Sequence, residues 1–210
     1  MNILVVDSSK KRAYVQVITE DKTIGYTLDE NEKHSENLLI RIEETINRAN
    51  IELKDIDVYA SVVGPGSFTG IRVGLSTIKA FNFVFNKKLV SVNSFEPFLQ
   101  VAKNGIILIN STHTTFYYAV VKSGKIDEMG TVSIDNLFDF IKNKKVYMFD
   151  YEKFEELKNY NIEYVENYGE LLKNTVILKC KKQEYTLDNE FEPLYLQLSQ
   201  AEVQLNSKNK

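Results

Sequence analysis

The chain has 210 residues, 43% hydrophobic and 26% charged, and its 26 basic and 29 acidic side chains leave a formal charge of −3, which excludes an overall basic footprint for nucleic acid. That length suits one large domain or two small ones with a core that needs no staple, and the single cysteine, Cys180, excludes an intrachain disulfide framework or a multi-cysteine zinc site. Met1 to Asp7 meets a carboxylate after a short apolar run, and no window approaches the ~18 apolar residues of a membrane span, so the expectation is a cytoplasmic chain with no secretory signal and no membrane segment.

Ile3 to Asp7 is a short apolar run, rich in β-branched residues and ending in a carboxylate, and reads as a buried strand. Ala13 to Thr19 and Thr23 to Leu28 follow with partial alternation around the polar turn Glu20-Asp21-Lys22, giving an antiparallel meander. From Ser35, a candidate N-cap, to Ala49 the residues Leu38, Leu39, Ile42, Ile46 and Ala49 fall within about 120° on a helical wheel, with Ile40 alone on the polar side. Val58 to Val63 is another buried strand, a glycine-rich loop follows, and a second helix is predicted over 69–85 before a strand at Leu89 to Val92.

The second half repeats this outline. Ile106 to Ile109, Phe116 to Val121 and Ile126 to Val132 form another three-strand signal, with Ser123-Gly124 as a hairpin turn. A helix at Asp135 to Ile141 and a strand at Val146 to Phe149 complete it, and further helices are expected around Tyr151–Leu157 and Gly169–Lys179. Two βββαβ units imply an α/β chain with a duplicated ribonuclease-H-like fold. The expected divisions are an N-terminal subdomain over 1–100, a smaller one over 101–190, and a tail over 191–210 that can pack back on the first half.

The segment Gly64-Pro65-Gly66-Ser67-Phe68-Thr69-Gly70-Ile71-Arg72-Val73-Gly74 joins a buried strand to a long helix. Its glycines permit close backbone approach, and Ser67 and Thr69 are candidate caps. Gly64, Gly66, Ser67, Thr69 and Gly70 are compatible with a tight structural turn or with an anion site at the helix start. The spacing is neither a Walker A loop nor a dinucleotide fingerprint.

As a string, this segment resembles the hallmark of the bacterial TsaB (YeaZ) family. Asp7-Ser8-Ser9 is similar to that family's opening turn, and Lys33-His34-Ser35-Glu36 to its first helix start. Glu192-Pro193-Leu194-Tyr195-Leu196 with Ala201-Glu202 is similar to its tail. The chain departs from the family at Asn110-Ser111-Thr112, where an Asp-Ala-Arg stretch is usual. The resemblance implies two actin-like halves of the ASKHA type. It also implies a non-catalytic partner of the transferase TsaD in forming threonylcarbamoyladenosine at position 37 of tRNA, with the ATPase TsaE joining the pair. Under that reading the chain binds no cofactor alone, a nucleotide is possible at the partner interface, and tRNA is met only through the complex. The free chain is expected to be a homodimer.

The residue chemistry is sparse. The metal-binding His-x-x-x-His pair of the catalytic paralogue has no counterpart, because His34 and His113 are far apart with no histidine four residues on. Asp7 is a candidate vestigial nucleotide site, able to hold Mg²⁺ through water or merely to fix its own turn. Cys180 has no identifiable partner, and no metal site is expected. In the second helix Ile71, Leu75, Ile78, Phe81 and Phe85 make one apolar face. Val73, Ala80 and Val84 make another, with Phe83 at its edge and Arg72, Ser76 and Lys79 as a polar stripe between the two. A single sheet covers one face only, so Leu38, Ile42, Ile46, Arg72, Val73, Ser76, Lys79, Ala80, Phe83 and Val84 are the candidate partner interface. The alternative is an enzyme, an ATP-dependent phosphotransferase or a glycoprotease-like peptidase of the same fold.

Overall fold

A computed structural model describes residues 1–29, 34–112, 114–149 and 154–197, with the side chains of 34, 35 and 112 left out. It divides the chain into two units, residues Met1–Pro97 with Asn167–Pro193, and Phe98–Glu166 with Leu194–Lys210.

In the first unit β1 (Ile3–Asp7) pairs antiparallel with β2 (Ala13–Ile18), which pairs antiparallel with β3 (Thr23–Leu28). After α1 (His34–Ala49), β4 (Val58–Gly64) adds in parallel on the other side of β1. After α2 (Phe68–Phe85), β5 (Lys88–Asn93) adds in parallel to β4, giving the order β3-β2-β1-β4-β5. β1 and β4 are buried at every residue, which is why they read as largely apolar without alternation, whereas the edge strand β3 alternates. Leu38, Ile42, Thr45 and Ile46 of α1 are buried, as are Ile71, Leu75 and Ile78 of α2, and the two helices pack side by side against the sheet.

The second unit repeats the plan. β6 (Gly105–Thr112), β7 (Thr115–Lys122) and β8 (Lys125–Ser133) form the meander, with α3 (Ile134–Ile141) following. β9 (Val146–Phe149) is parallel to β6, and β10 (Ile162–Val165) is parallel to β9. Its order, β10-β9-β6-β7-β8, is that of the first sheet read from the opposite edge. This is the duplicated ribonuclease-H-like, actin-like α/β arrangement expected from the sequence. Ser123 and Gly124 both have positive φ, 51° and 72°, the turn that matches strand twist in a two-residue hairpin. Ile106, Leu108, Phe116, Leu137, Ile141 and Met148 form the core of this unit.

Four expectations are corrected. The strand β10 was not foreseen, since Ile162-Glu163-Tyr164-Val165 is short and carries a charge. The helix expected at Tyr151–Leu157 is reduced to a single 3-10 turn at Glu155–Leu157, with 151–153 outside the described residues. The boundary of the subdomain at 101–190 is wrong, because α4 (Tyr168–Lys181) returns to the first unit and buries Tyr168, Leu172 and Val176 there. The tail over 191–210 is divided: Phe191 is buried in the first unit, where Glu192 pairs with Lys79, while 194–197 belong to the second and 198–210 lie outside the described residues. Among the described residues no helix is long and apolar enough to cross a membrane.

Gly66 and Gly70 are conformational requirements of a specific kind. A Cβ on Gly66 would stand 2.2 Å from the Ser9 carbonyl oxygen, and one on Gly70 would stand 1.9 Å from that of Ser8. The start of α2 therefore lies directly on the β1–β2 turn. Gly70→Ala is expected to cost roughly 3 kcal/mol, and Gly66→Val at least as much, because backbone must move to admit the side chain. Thr69→Ala beside them, on an exposed residue, is expected to stay within about 0.5 kcal/mol. Urea unfolding midpoints of the three variants check this.

Candidate functional site

The end of β1 is the most chemically dense place in the first unit. Asp7 and Lys10 side chains are both 0% exposed and 2.6 Å apart. The Asp7 Oδ1 accepts from the Ser9 backbone N–H at 2.9 Å and from the Ser9 hydroxyl at 2.6 Å. Its Oδ2 accepts from Lys10 Nζ at 2.6 Å and from Tyr168 Oη at 2.7 Å. Lys10 Nζ also donates to Ser9 Oγ at 3.0 Å and to Tyr168 Oη at 2.9 Å. Burial pushes the Asp7 carboxyl upward, but the Lys10 ammonium and the hydrogen bonds from Lys10, Ser9 and Tyr168 outweigh it and hold the carboxyl below its ordinary value. Tyr168 is placed by α4, which is fastened nearby by Gln16 Nε2 donating to the Gly169 carbonyl at 2.9 Å and by the edge of Tyr168 on Tyr14 at 5.1 Å.

The glycine loop is built against the same turn. Ser67 N–H donates to the Ser9 carbonyl at 2.7 Å, and Ser8 Oγ donates to the Gly70 carbonyl at 2.7 Å. Ser67 is the N-cap of α2, its hydroxyl accepting from Gly70 N–H at 3.2 Å. Thr69 lies in the first helical turn and is exposed, so the cap is Ser67 alone. The amides of Ser67 and Gly70 thus face protein acceptors, and the turn reading has direct geometric support. Gly64, with φ 116°, ends β4 and gives its carbonyl to Ser94 N–H at 2.8 Å.

The candidate interface residues separate into two groups. Leu38, Ile42 and Ile46 are buried within this chain's own first unit, which corrects their assignment to a partner surface: the apolar stripe of α1 covers its own sheet. The outward apolar residues of α1 are instead Leu39 and Ile40. On α2, Arg72, Ser76 and Ala80 are exposed, Val73 and Lys79 are half-buried, and Phe83 and Val84 face solvent. Leu39, Ile46, Leu53 and Phe81 line an apolar groove of about 390 Å³ beside them. The two-faced helix is thus real, with one face on the sheet and one open.

The remaining candidates carry less. His113 lies outside the described residues, as do the side chains of His34 and Ser35; at the backbone level α1 begins at His34, so Ser35 is inside the first turn and is not the N-cap. Cys180 is buried, and burial pushes its thiol up, the opposite of an activated nucleophile. Asn110-Ser111-Thr112 forms the irregular end of β6, where Ser111 Oγ donates to Gln197 Oε1 at 3.4 Å. Among the described residues no three histidine, cysteine or acidic side chains are grouped to hold a metal. Lys10 and Tyr168 were missed in the sequence. An Asp–Lys pair three apart in a turn was the available signal for Lys10; Tyr168, distant in sequence from Asp7, offered none.

The Asp7 cluster makes stability acid-sensitive. Because the carboxyl sits below its ordinary value of 3.8 in the folded chain, its contribution is present above that value and is lost as pH falls through the lower folded one. Asp7→Asn is expected to destabilise by about 3–5 kcal/mol at neutral pH, leaving the buried ammonium uncompensated, and to flatten the loss of stability in acid. Tyr168→Phe is expected to cost about 1.5–3 kcal/mol. Urea titrations between neutrality and acid test both.

The family model described as TsaD, tRNA N6-adenosine threonylcarbamoyltransferase, matches residues 29–200. A tRNA N6-adenosine threonylcarbamoyltransferase of Kosmotoga olearia is 30% identical over 109 residues, covering 44% of this chain and 33% of that protein. The enzyme of the same name in Clostridioides difficile is 43% identical over 67 residues, 32% of this chain and 20% of that protein. The chain therefore spans about a third or less of the length of these curated relatives. In structure it is similar to YeaZ from Pseudomonas aeruginosa, with a TM-score of 0.70 at 13% identity over 93% of this chain and 99% of that one. A Pseudomonas aeruginosa protein described as uncharacterized with similarity to peptidase YEAZ gives a TM-score of 0.71 at 13% identity, with the same coverage. Matched by the family model over residues 29–200, the chain belongs to the tRNA N6-adenosine threonylcarbamoyltransferase (TsaD) family, and its fold is the one seen in YeaZ.

Proposed function

We propose that this chain is the non-catalytic scaffold partner of a TsaD-type transferase in forming the threonylcarbamoyl group on adenosine 37 of tRNAs that read codons starting with adenine. The observation that carries this reading is the outward face of α2, where Phe83 is 92% and Val84 68% exposed. Leu39 and Ile40 of α1, 59% and 49% exposed, add a second apolar element. Each large apolar side chain fully buried on pairing stabilises the complex by about 1.5–3 kcal/mol. Arg72 and Ser76 border the patch as a polar rim. A helix apolar on two sides is not explained by its own sheet, and large apolar side chains left exposed on its outer side support a protein contact there.

A two-fold contact uses one patch on both copies, so a surface suited to a fold-related partner also pairs with itself. The free chain is accordingly a homodimer, and the transferase replaces one copy, with four helices at the contact. TsaE joins this pair as the ATPase, tRNA is reached through the assembly, and any nucleotide is bound at the shared interface rather than by this chain alone. The assembly works in the cytoplasm. The absence from the sequence of the His-x-x-x-His pair supports a role without catalysis by this chain alone.

Val84→Glu and Phe83→Asp should each weaken homodimer and heterodimer by at least about ten-fold, the equivalent of 1.4 kcal/mol. Sedimentation velocity of each variant, alone and with the transferase, checks this; loss of one assembly with the other intact would show two different surfaces. In parallel, this chain with tRNA and threonylcarbamoyl-adenylate but no transferase should yield no modified tRNA, and product in that reaction would refute the scaffold role.

A further inference from the structure

We infer that the ammonium of Lys10 is this chain's built-in replacement for a bound divalent cation at the end of β1, so that the first unit takes no metal there while the lysine is present. In an open sheet with parallel strands, ligands gather outside the carboxyl ends of the strands, and Asp7, the carboxylate at the end of β1, is the residue the sequence offers for Mg²⁺ there. The residues present do not fit such an ion. Mg²⁺ keeps several waters in an octahedral shell and needs an accessible carboxylate oxygen. Both oxygens of Asp7 are instead engaged by protein donors, two on Oδ1 and two on Oδ2, and its side chain is fully buried.

Lys10 Nζ reproduces the surroundings of a small cation. Its three protons match three oxygens, Asp7 Oδ2 at 2.6 Å, Tyr168 Oη at 2.9 Å and Ser9 Oγ at 3.0 Å. Each hydroxyl passes its own proton to Asp7, Ser9 to Oδ1 and Tyr168 to Oδ2, so the donor and acceptor roles close without conflict. The positive charge also lies 4.6 Å from the centre of the Tyr168 ring. A tethered cation with three oxygen ligands thus stands against the carboxylate.

Removing the lysine side chain should uncover a cation site made of Asp7, Ser9 and Tyr168 oxygens. The probe is Mn²⁺, followed by the electron paramagnetic resonance of the free ion. Wild-type protein should show no Asp7-dependent binding, whereas Lys10→Ala should bind Mn²⁺ at least ten-fold more tightly than wild type. The double variant Asp7→Asn with Lys10→Ala should lose that binding. Mn²⁺ should also raise the Tm of Lys10→Ala and leave that of the wild type unchanged.

A folded Lys10→Ala variant that ignores Mn²⁺ would overturn the inference. If Lys10→Ala does not fold, the test passes to the wild type labelled with ¹⁵N-lysine. There the Lys10 ammonium resonance should persist unbroadened as Mn²⁺ is added, and broadening that Asp7→Asn abolishes would overturn the inference. Pairing with the transferase is read separately by sedimentation, so metal uptake by the wild type would sink the Lys10 assignment and leave the partner reading standing.

Discussion

A carboxylate and an ammonium buried together are tolerated only where every remaining proton and lone pair finds a partner, since the desolvation of two ions otherwise exceeds their attraction. Asp7 and Lys10 meet that demand through Ser9 and Tyr168, and several elements depend on the result. The turn after β1 is fixed by Asp7 holding the Ser9 amide and hydroxyl. The fixed turn presents the Ser8 and Ser9 carbonyls, on which the glycine loop and the start of α2 are seated. Tyr168 ties α4 to the same point, which is why a helix that follows the second unit in sequence belongs to the first. One polar cluster thus positions three elements, and α2 is one of them.

That arrangement makes α2 rigid while leaving its outer face to the proposed contact. The inner face of α2 is held by Ile71, Leu75 and Ile78 in the core, and its start by backbone contacts that admit no side chain. At its far end Asn82 accepts from the Lys87 amide at 2.9 Å, and Asn86 closes the helix in a left-handed conformation. A helix fixed at both ends offers its outer residues in a set geometry, which lowers the ordering cost of binding. The apolar exposure of Phe83 and Val84 is thus an organised surface rather than a loose end.

Much of the fold was legible in the sequence. Largely apolar runs with several β-branched residues at Ile3–Asp7 and Val58–Val63 gave buried strands, and the alternation of the meanders gave antiparallel pairs, because side-chain period and burial are linked directly. Ser123-Gly124 read as a hairpin because few residue pairs accept two positive φ values. The glycine string carried the family resemblance because close backbone packing permits no substitute at Gly66 and Gly70.

Other features were decided only in three dimensions. Periodicity shows that a helix has an apolar stripe but not what covers it, so the stripe of Leu38, Ile42 and Ile46 suggests a partner surface although their own sheet covers them. The open face of α2 could be assigned only once the sheet was seen to take the other. The return of α4 and the pairing of Tyr168 with Asp7 and Lys10 join residues more than a hundred positions apart. No local propensity encodes such a contact, because its energy arises from burying three polar groups together, and burial belongs to the assembled fold. The amino-acid sequence determined the strands, the helices and the glycine junction, where each outcome depends on near neighbours along the chain; the tertiary structure decided which apolar face stays open and what holds the charge at Asp7.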